Sequence, residues 1–148
     1  MKILMVCLGN ICRSPLAHGI LQHLADKKHL NWVVDSAGTA GYHVGHKPDD
    51  RSIAVAKKHG IDISMQRARQ FHQQDFTLFD HIYVMDYYNY DEVISLAANA
   101  EEAEKVKLFI PDGIVPDPYT DDSLFESVFQ LIATQCEKLL TQLENTNR

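Results

Sequence analysis

Short, continuously apolar runs alternate along this chain with longer stretches whose apolar residues recur at helical spacing. That alternation restricts the chain to helices packed on a parallel sheet. Ile3-Leu4-Met5-Val6 reads as a strand buried on both faces, as parallel strands are. Arg13-Ser14-Pro15 reads as a helix start, with Ser14 as N-cap and Pro15 in the first turn. Leu16, Ile20, Leu21 and Leu24 carry that helix to about Lys27. Trp32-Val33-Val34 predicts a second strand, ending at Ser36-Ala37-Gly38. After a loop containing Gly41, Gly45 and Pro48, Asp49 and Asp50 open a second helix. Ile53, Ala54 and Ala56 support it, and Gly60 stops it. His81 to Met85 is the third strand and Lys107 to Ile110 the fourth, with a helix from about Asn89 to Ala98 between them. The last helix is the longest, placing Leu124, Val128, Leu131, Ile132, Leu139 and Leu143 at core spacing, with Cys136 on the same apolar face.

The alternation implies an α/β fold, a four-stranded parallel sheet with right-handed crossovers and helices on both faces, and the flavodoxin-like order 2-1-3-4 is the expected arrangement of its strands. A length of 148 residues suits one domain spanning 1–148, and no repeat or linker interrupts it. With 45% apolar residues the chain can build a core without a disulfide or metal staple. A formal charge of −6 disfavours broad binding to nucleic acid or anionic lipid, so a recognised anion must be held locally. Three cysteines, Cys7, Cys12 and Cys136, cannot complete a disulfide framework. The short apolar start is no secretory signal, and no run approaches the roughly 20 residues that span a bilayer. A reducing, cytoplasmic location and no membrane partner are the expectation.

In a sheet of this kind ligands sit beyond the carboxyl ends of the strands. The loop after the first strand reads Cys7-Leu8-Gly9-Asn10-Ile11-Cys12-Arg13-Ser14. A thiol closes the strand, five residues intervene, and an arginine and a hydroxyl follow at a helix start. A loop wrapped around a tetrahedral anion turns its N–H groups inward, and Gly9 and Asn10 tolerate the positive φ this often needs. The helix adds its positive end, and Arg13 offers a planar fork for two phosphate oxygens. The same field stabilises a thiolate at Cys7, and Ser14 can donate a hydrogen bond to the sulfur. No Gly-x4-Gly-Lys-Ser/Thr is present, which disfavours a nucleotide-binding phosphate loop. The eight histidines form no recognisable ligand set, so no metal and no cofactor are expected. Asp117, stiffened between Pro116 and Pro118, is a candidate proton donor, and on the residues alone a rigid-turn aspartate is an equal reading.

The stretch from Val6 to Pro15 resembles the signature of the low-molecular-weight protein tyrosine phosphatases. The likeness continues through Asp35-Ser36-Ala37-Gly38-Thr39, Arg67-Ala68-Arg69-Gln70, Val84-Met85-Asp86 and Pro116-Asp117-Pro118-Tyr119, and so covers nearly the whole chain. It implies hydrolysis of phosphotyrosine through a phosphocysteine, with Cys7 as nucleophile, Arg13 binding phosphate and Asp117 as general acid and base. It implies that residues Leu8, Gly9, Asn10, Ile11, Cys12 and Ser14 bind the substrate. Asn10 and Ser36 would belong to a network that shapes the loop, and Leu8, Tyr42 and Tyr119 would wall a slot for a flat ring. Relatives use the neighbour of the nucleophile, here Cys12, as a redox guard. The implied partner is a tyrosine-phosphorylated protein, with a bacterial tyrosine kinase of an exopolysaccharide system as a family-based guess. A monomer or weak dimer is expected.

Departures from the pattern are Tyr42 where many relatives carry Trp, Gln66 where many carry His, and Thr120 in place of a second tyrosine. Tyr87 and Tyr88 are further candidates for the entrance. Arsenate reduction occurs on the same scaffold but needs a distant shuttle cysteine, which neither Cys12 nor Cys136 supplies. Arginine phosphatases resemble this loop but tend to have Thr where this chain has Ile11, and an apolar residue favours a ring. A phosphotyrosine-binding module would need neither Cys7 nor Asp117.

Overall fold

The computed structural model describes residues 1–146. A four-stranded parallel sheet in the order β2-β1-β3-β4 forms its centre. The strands are β1 (Lys2–Cys7), β2 (Val33–Gly38), β3 (His81–Val84) and β4 (Val106–Leu108). Around them run α1 (Arg13–Lys27), α2 (Asp50–Lys58), α3 (Asp75–Leu78), α4 (Tyr87–Ser95), α5 (Ala100–Glu104) and α6 (Phe125–Thr146). The expected strand order and the helices on both faces are present.

Alternation along β1 builds two cores. Ile3, Met5 and Cys7 enter a cluster with Leu16, Leu21, Val55, Phe129 and Ile132 from α1, α2 and α6. Leu4 and Val6 face the other way, towards Phe76, Val93 and Val106. Each such side chain withdrawn from water stabilises the fold by about 1.5–3 kcal/mol. Because β1 is central and dry on both faces, its carboxyl end is a rigid mount for whatever follows Cys7.

Several sequence expectations shift. Ser14 is not the N-cap of α1: the cap position is Cys12, and no side chain caps it. The Ser14 hydroxyl is drawn instead towards the preceding loop. Strand β2 starts one residue late, at Val33, and buried Trp32 precedes it. Strand β4 ends at Leu108 rather than Ile110, although the Phe109 amide still donates to Val84. Helix α4 begins at Tyr87 because the Asp86 carboxylate accepts from the Asn89 amide and caps it there. On α2, Ala54 is exposed and the buried face is Ser52, Val55 and Ala56. Leu131 is solvent-exposed, because the stripe of α6 runs through Phe129, Ile132, Cys136 and Leu140 on another side. The short helices α3 and α5 and a 3-10 turn at Asp122–Leu124 span too few residues to show a period. Among the described residues no helix is long and apolar enough to cross a membrane.

Candidate active site

Between β1 and α1 the chain closes a compact loop at the carboxyl edge of the sheet. Asn10 takes a left-handed conformation, φ 57°, which its short polar side chain tolerates. Gly9 does not use a positive φ. Its place is tight for another reason, since a Cβ there would lie 3.0 Å from the His43 ring. Among the described residues, no carbonyl or side chain accepts a hydrogen bond from the amides of residues 9–12. Donors held in a bend beside an uncapped helix start form a concavity that attracts anions.

The Cys7 sulfur lies 3.0 Å from the Ser14 hydroxyl oxygen. The Asn10 amide nitrogen donates to that same oxygen at 2.8 Å, which leaves the hydroxyl proton free to point at sulfur. The other end of the Asn10 side chain accepts from the Arg69 amide at 3.0 Å. Arg69 is itself fixed by a fork to buried Asp75, at 3.0 and 3.1 Å, and by Asp35. Ser36 does not join Asn10: its hydroxyl pairs with His18 Nδ1 at 3.1 Å. Burial keeps the pKa of His18 low, and Asp35 opposes this while Arg69 adds to it. Gln66 donates to the Pro15 carbonyl at 3.1 Å from behind the helix start.

Arg13 is almost fully buried, at 3% exposure. One terminal nitrogen donates to Asp86 at 2.8 Å and to the Val115 carbonyl at 3.0 Å. The other lies 3.9 Å from the Asp117 carboxylate. Burial opposes the charge on Arg13, but the Cys7 sulfur, Asp86 and Asp117 outweigh it and hold the guanidinium above the usual arginine range. Asp86 thus clamps Arg13 with one oxygen and caps α4 with the other. Sequence reading assigned Asp86 no role; its position just past β3, on the ligand side of the sheet, was the available signal.

A cavity of about 190 Å³ opens over the sulfur. Leu8, Gly9, Ile11, Cys12 and Arg13 form its floor and near wall, and Tyr42, His43, Asp117 and Tyr119 its rim. The candidates Cys7, Leu8, Gly9, Ile11, Cys12, Arg13, Tyr42, Asp117 and Tyr119 therefore meet at one opening, with Asn10 and Ser14 beneath them. Ser36 stands apart, and Tyr87 lines a different cleft beside β4. His43 was missed: its ring lies between Tyr42 and Tyr119, at centroid distances of 6.3 and 6.4 Å. Such an arrangement can bind a tetrahedral dianion, aim a sulfur at its centre and place a carboxyl on the far side of it.

Residues 2–148 match the sequence model of a family described as "Low molecular weight phosphotyrosine protein phosphatase". The chain is 39% identical to the low molecular weight protein-tyrosine-phosphatase YfkJ of Bacillus subtilis, over 97% of this chain and 96% of that protein. The crystal structure of YfkJ superposes with a TM-score of 0.92, covering 100% of this chain and 97% of the other. Identity is 38% to the human low molecular weight phosphotyrosine protein phosphatase, over 94% of this chain and 93% of the relative. A structure described as drosophila arginine phosphatase superposes with a TM-score of 0.89 at 35% identity, covering 97% of this chain and 98% of that one.

Proposed function

The chain belongs to the low molecular weight phosphotyrosine protein phosphatase family, and on that premise we propose how its residues divide the hydrolysis of phosphotyrosine in proteins. The Cys7 thiolate attacks phosphorus in line with the ester oxygen. As the P–O bond breaks, Asp117 gives its proton to the departing phenolate, and phosphate is left on sulfur. Asp117, now ionised, takes a proton from water, which attacks phosphorus and releases inorganic phosphate and the thiolate. Arg13 and the loop amides stabilise charge on the equatorial oxygens as it develops. Ser14 steadies the thiolate before attack and again as it departs. The observation that carries this assignment is the Cys7 sulfur, 3.0 Å from Ser14, at the base of a cavity whose rim holds Asp117 within 3.9 Å of Arg13.

An aryl substrate fits the walls supplied by Leu8, Ile11, Tyr42, His43 and Tyr119. Ile11 also weighs against phosphoarginine, whose guanidinium gains nothing from an apolar contact. We read residues 1–148 as one phosphatase domain, supported by the match over 2–148. The substrate is a tyrosine-phosphorylated protein, and a tyrosine kinase of an exopolysaccharide system is the partner implied by the sequence resemblance. Three unpaired thiols support a reducing, cytoplasmic location.

A comparative assay with aryl phosphate, phosphotyrosine peptide, phosphoarginine and arsenate plus thiol tests the reaction, with acid-quench trapping of phosphate on sulfur. Asp117→Ala should keep its affinity for inorganic phosphate and lose roughly 10²-fold or more in turnover, most severely for poor leaving groups. Equal slowing of good and poor leaving groups would remove Asp117 from the acid's role.

A further inference from the structure

The segment carrying Asp117 has few ways to anchor itself. Pro116 and Pro118 have no N–H to donate, so the flanking backbone cannot be tied down by its own amides. At its start, Val115 donates to the Met85 carbonyl and accepts from Arg13. Beyond Asp117, among the described residues, the hydrogen bonds that reach this segment from another element come from Arg51 on α2. Its guanidinium donates to the Tyr119 carbonyl at 2.9 Å and is ion-paired with Asp122. The same group grips Asp49 at 2.9 and 3.0 Å and lies 4.5 Å from the Phe125 ring centroid and 5.6 Å from that of Tyr119. Asp49 in turn is bound to the phosphate-binding loop, because its amide donates to the Ile11 carbonyl at 2.8 Å.

Both faces of the Tyr119 residue then matter. Its carbonyl is held by Arg51, and its amide donates to the Asp117 carboxylate at 3.1 Å. We propose that Arg51 is a positioning residue for the leaving-group proton: through Tyr119 it sets the place of the Asp117 carboxyl, and through Asp49 it fixes that place relative to the loop that holds the phosphate. It touches neither substrate nor sulfur. The inference rests on Asp117 being the acid and adds what aims it.

The test is kcat/KM for aryl phosphates of graded leaving-group acidity, in wild type, Asp117→Ala, Arg51→Met, Arg51→Lys and the double variant Arg51→Met/Asp117→Ala. Arg51→Met should cost about tenfold on the poorest leaving group, a fraction of the roughly 10²–10⁴-fold that acid–base catalysis contributes. It should cost less than about twofold on the best, where no proton is needed. Inhibition by inorganic phosphate should stay within about twofold of wild type, because the loop is intact. In the Asp117→Ala background the second substitution should add nothing, since it acts through the missing carboxyl. Arg51→Lys keeps the charge but not the fork, so it should show the same selective loss if Arg51→Met folds poorly. Uniform loss across leaving groups, or full additivity in the double variant, overturns the inference and leaves Arg51 a structural strap. Leaving-group-independent loss in Asp117→Ala itself would instead overturn the assignment of the acid.

Discussion

Cys7 and Cys12 share one loop, yet their surroundings differ. Cys7 lies at the base of the cavity, beside Ser14 and Arg13. Burial pushes the Cys12 thiol up to about 12, helped by the negative charges of Asp49, Cys7 and Asp117. Burial also holds Cys136 protonated, inside the contact between α6 and α1. Only a thiolate alkylates readily. Iodoacetate at neutral pH should therefore label one site in the native chain, Cys7, and inorganic phosphate should protect it. Peptide mapping checks this, and labelling of Cys12 at a similar rate would contradict the arrangement.

At the scale of elements, the end of β2 supports the loop after β1 from one side. Gly38 closes β2 against that loop, and a Cβ there would lie 2.8 Å from the Leu8 carbonyl oxygen and 3.1 Å from the Asn10 nitrogen. Both neighbours are backbone, so neither can swing away. Gly38→Ala should cost about 1–3 kcal/mol of stability as overpacking does. It should also weaken inhibition by inorganic phosphate, because the displaced atoms belong to the anion cradle. Denaturant melts and phosphate inhibition constants measured together separate the two effects. Unchanged phosphate affinity would show that the loop does not lean on β2. The sequence marked Gly38 as the end of a strand, within a stretch of family likeness, and gave it no task; the close approach depends on β1 and β2 pairing in register, Cys7 beside Gly38.

For the whole molecule, half-buried His18 is the titratable group with the plainest consequence. Its pKa is lowered by burial, so the folded state prefers it neutral while the unfolded chain protonates near 6.5. Above that pH neither state is protonated and His18 makes no difference. Below it the unfolded state takes up the proton first, so stability falls with pH until the folded histidine also protonates. His81, likewise lowered by burial, adds a slope of the same sign. His18→Gln should flatten the loss of stability between pH 6.5 and 5 without abolishing it, as read by urea melts across that range. Sequence periodicity located the four strands to within a residue or two, the first and last long helices and the parallel sense of the sheet, because burial on two faces of a sheet leaves a local apolar signature. The loop from Cys7 to Ser14 was equally legible, since its residues are contiguous and each type has one evident task. What the tertiary structure decided is which distant groups serve that loop and the rim above it: Asp86 on Arg13, Arg69 on Asn10, Arg51 on Tyr119 and His43 beside the Tyr119 ring. These partners lie tens of residues away, and a polar side chain's partner is set by chain crossings that no local period encodes.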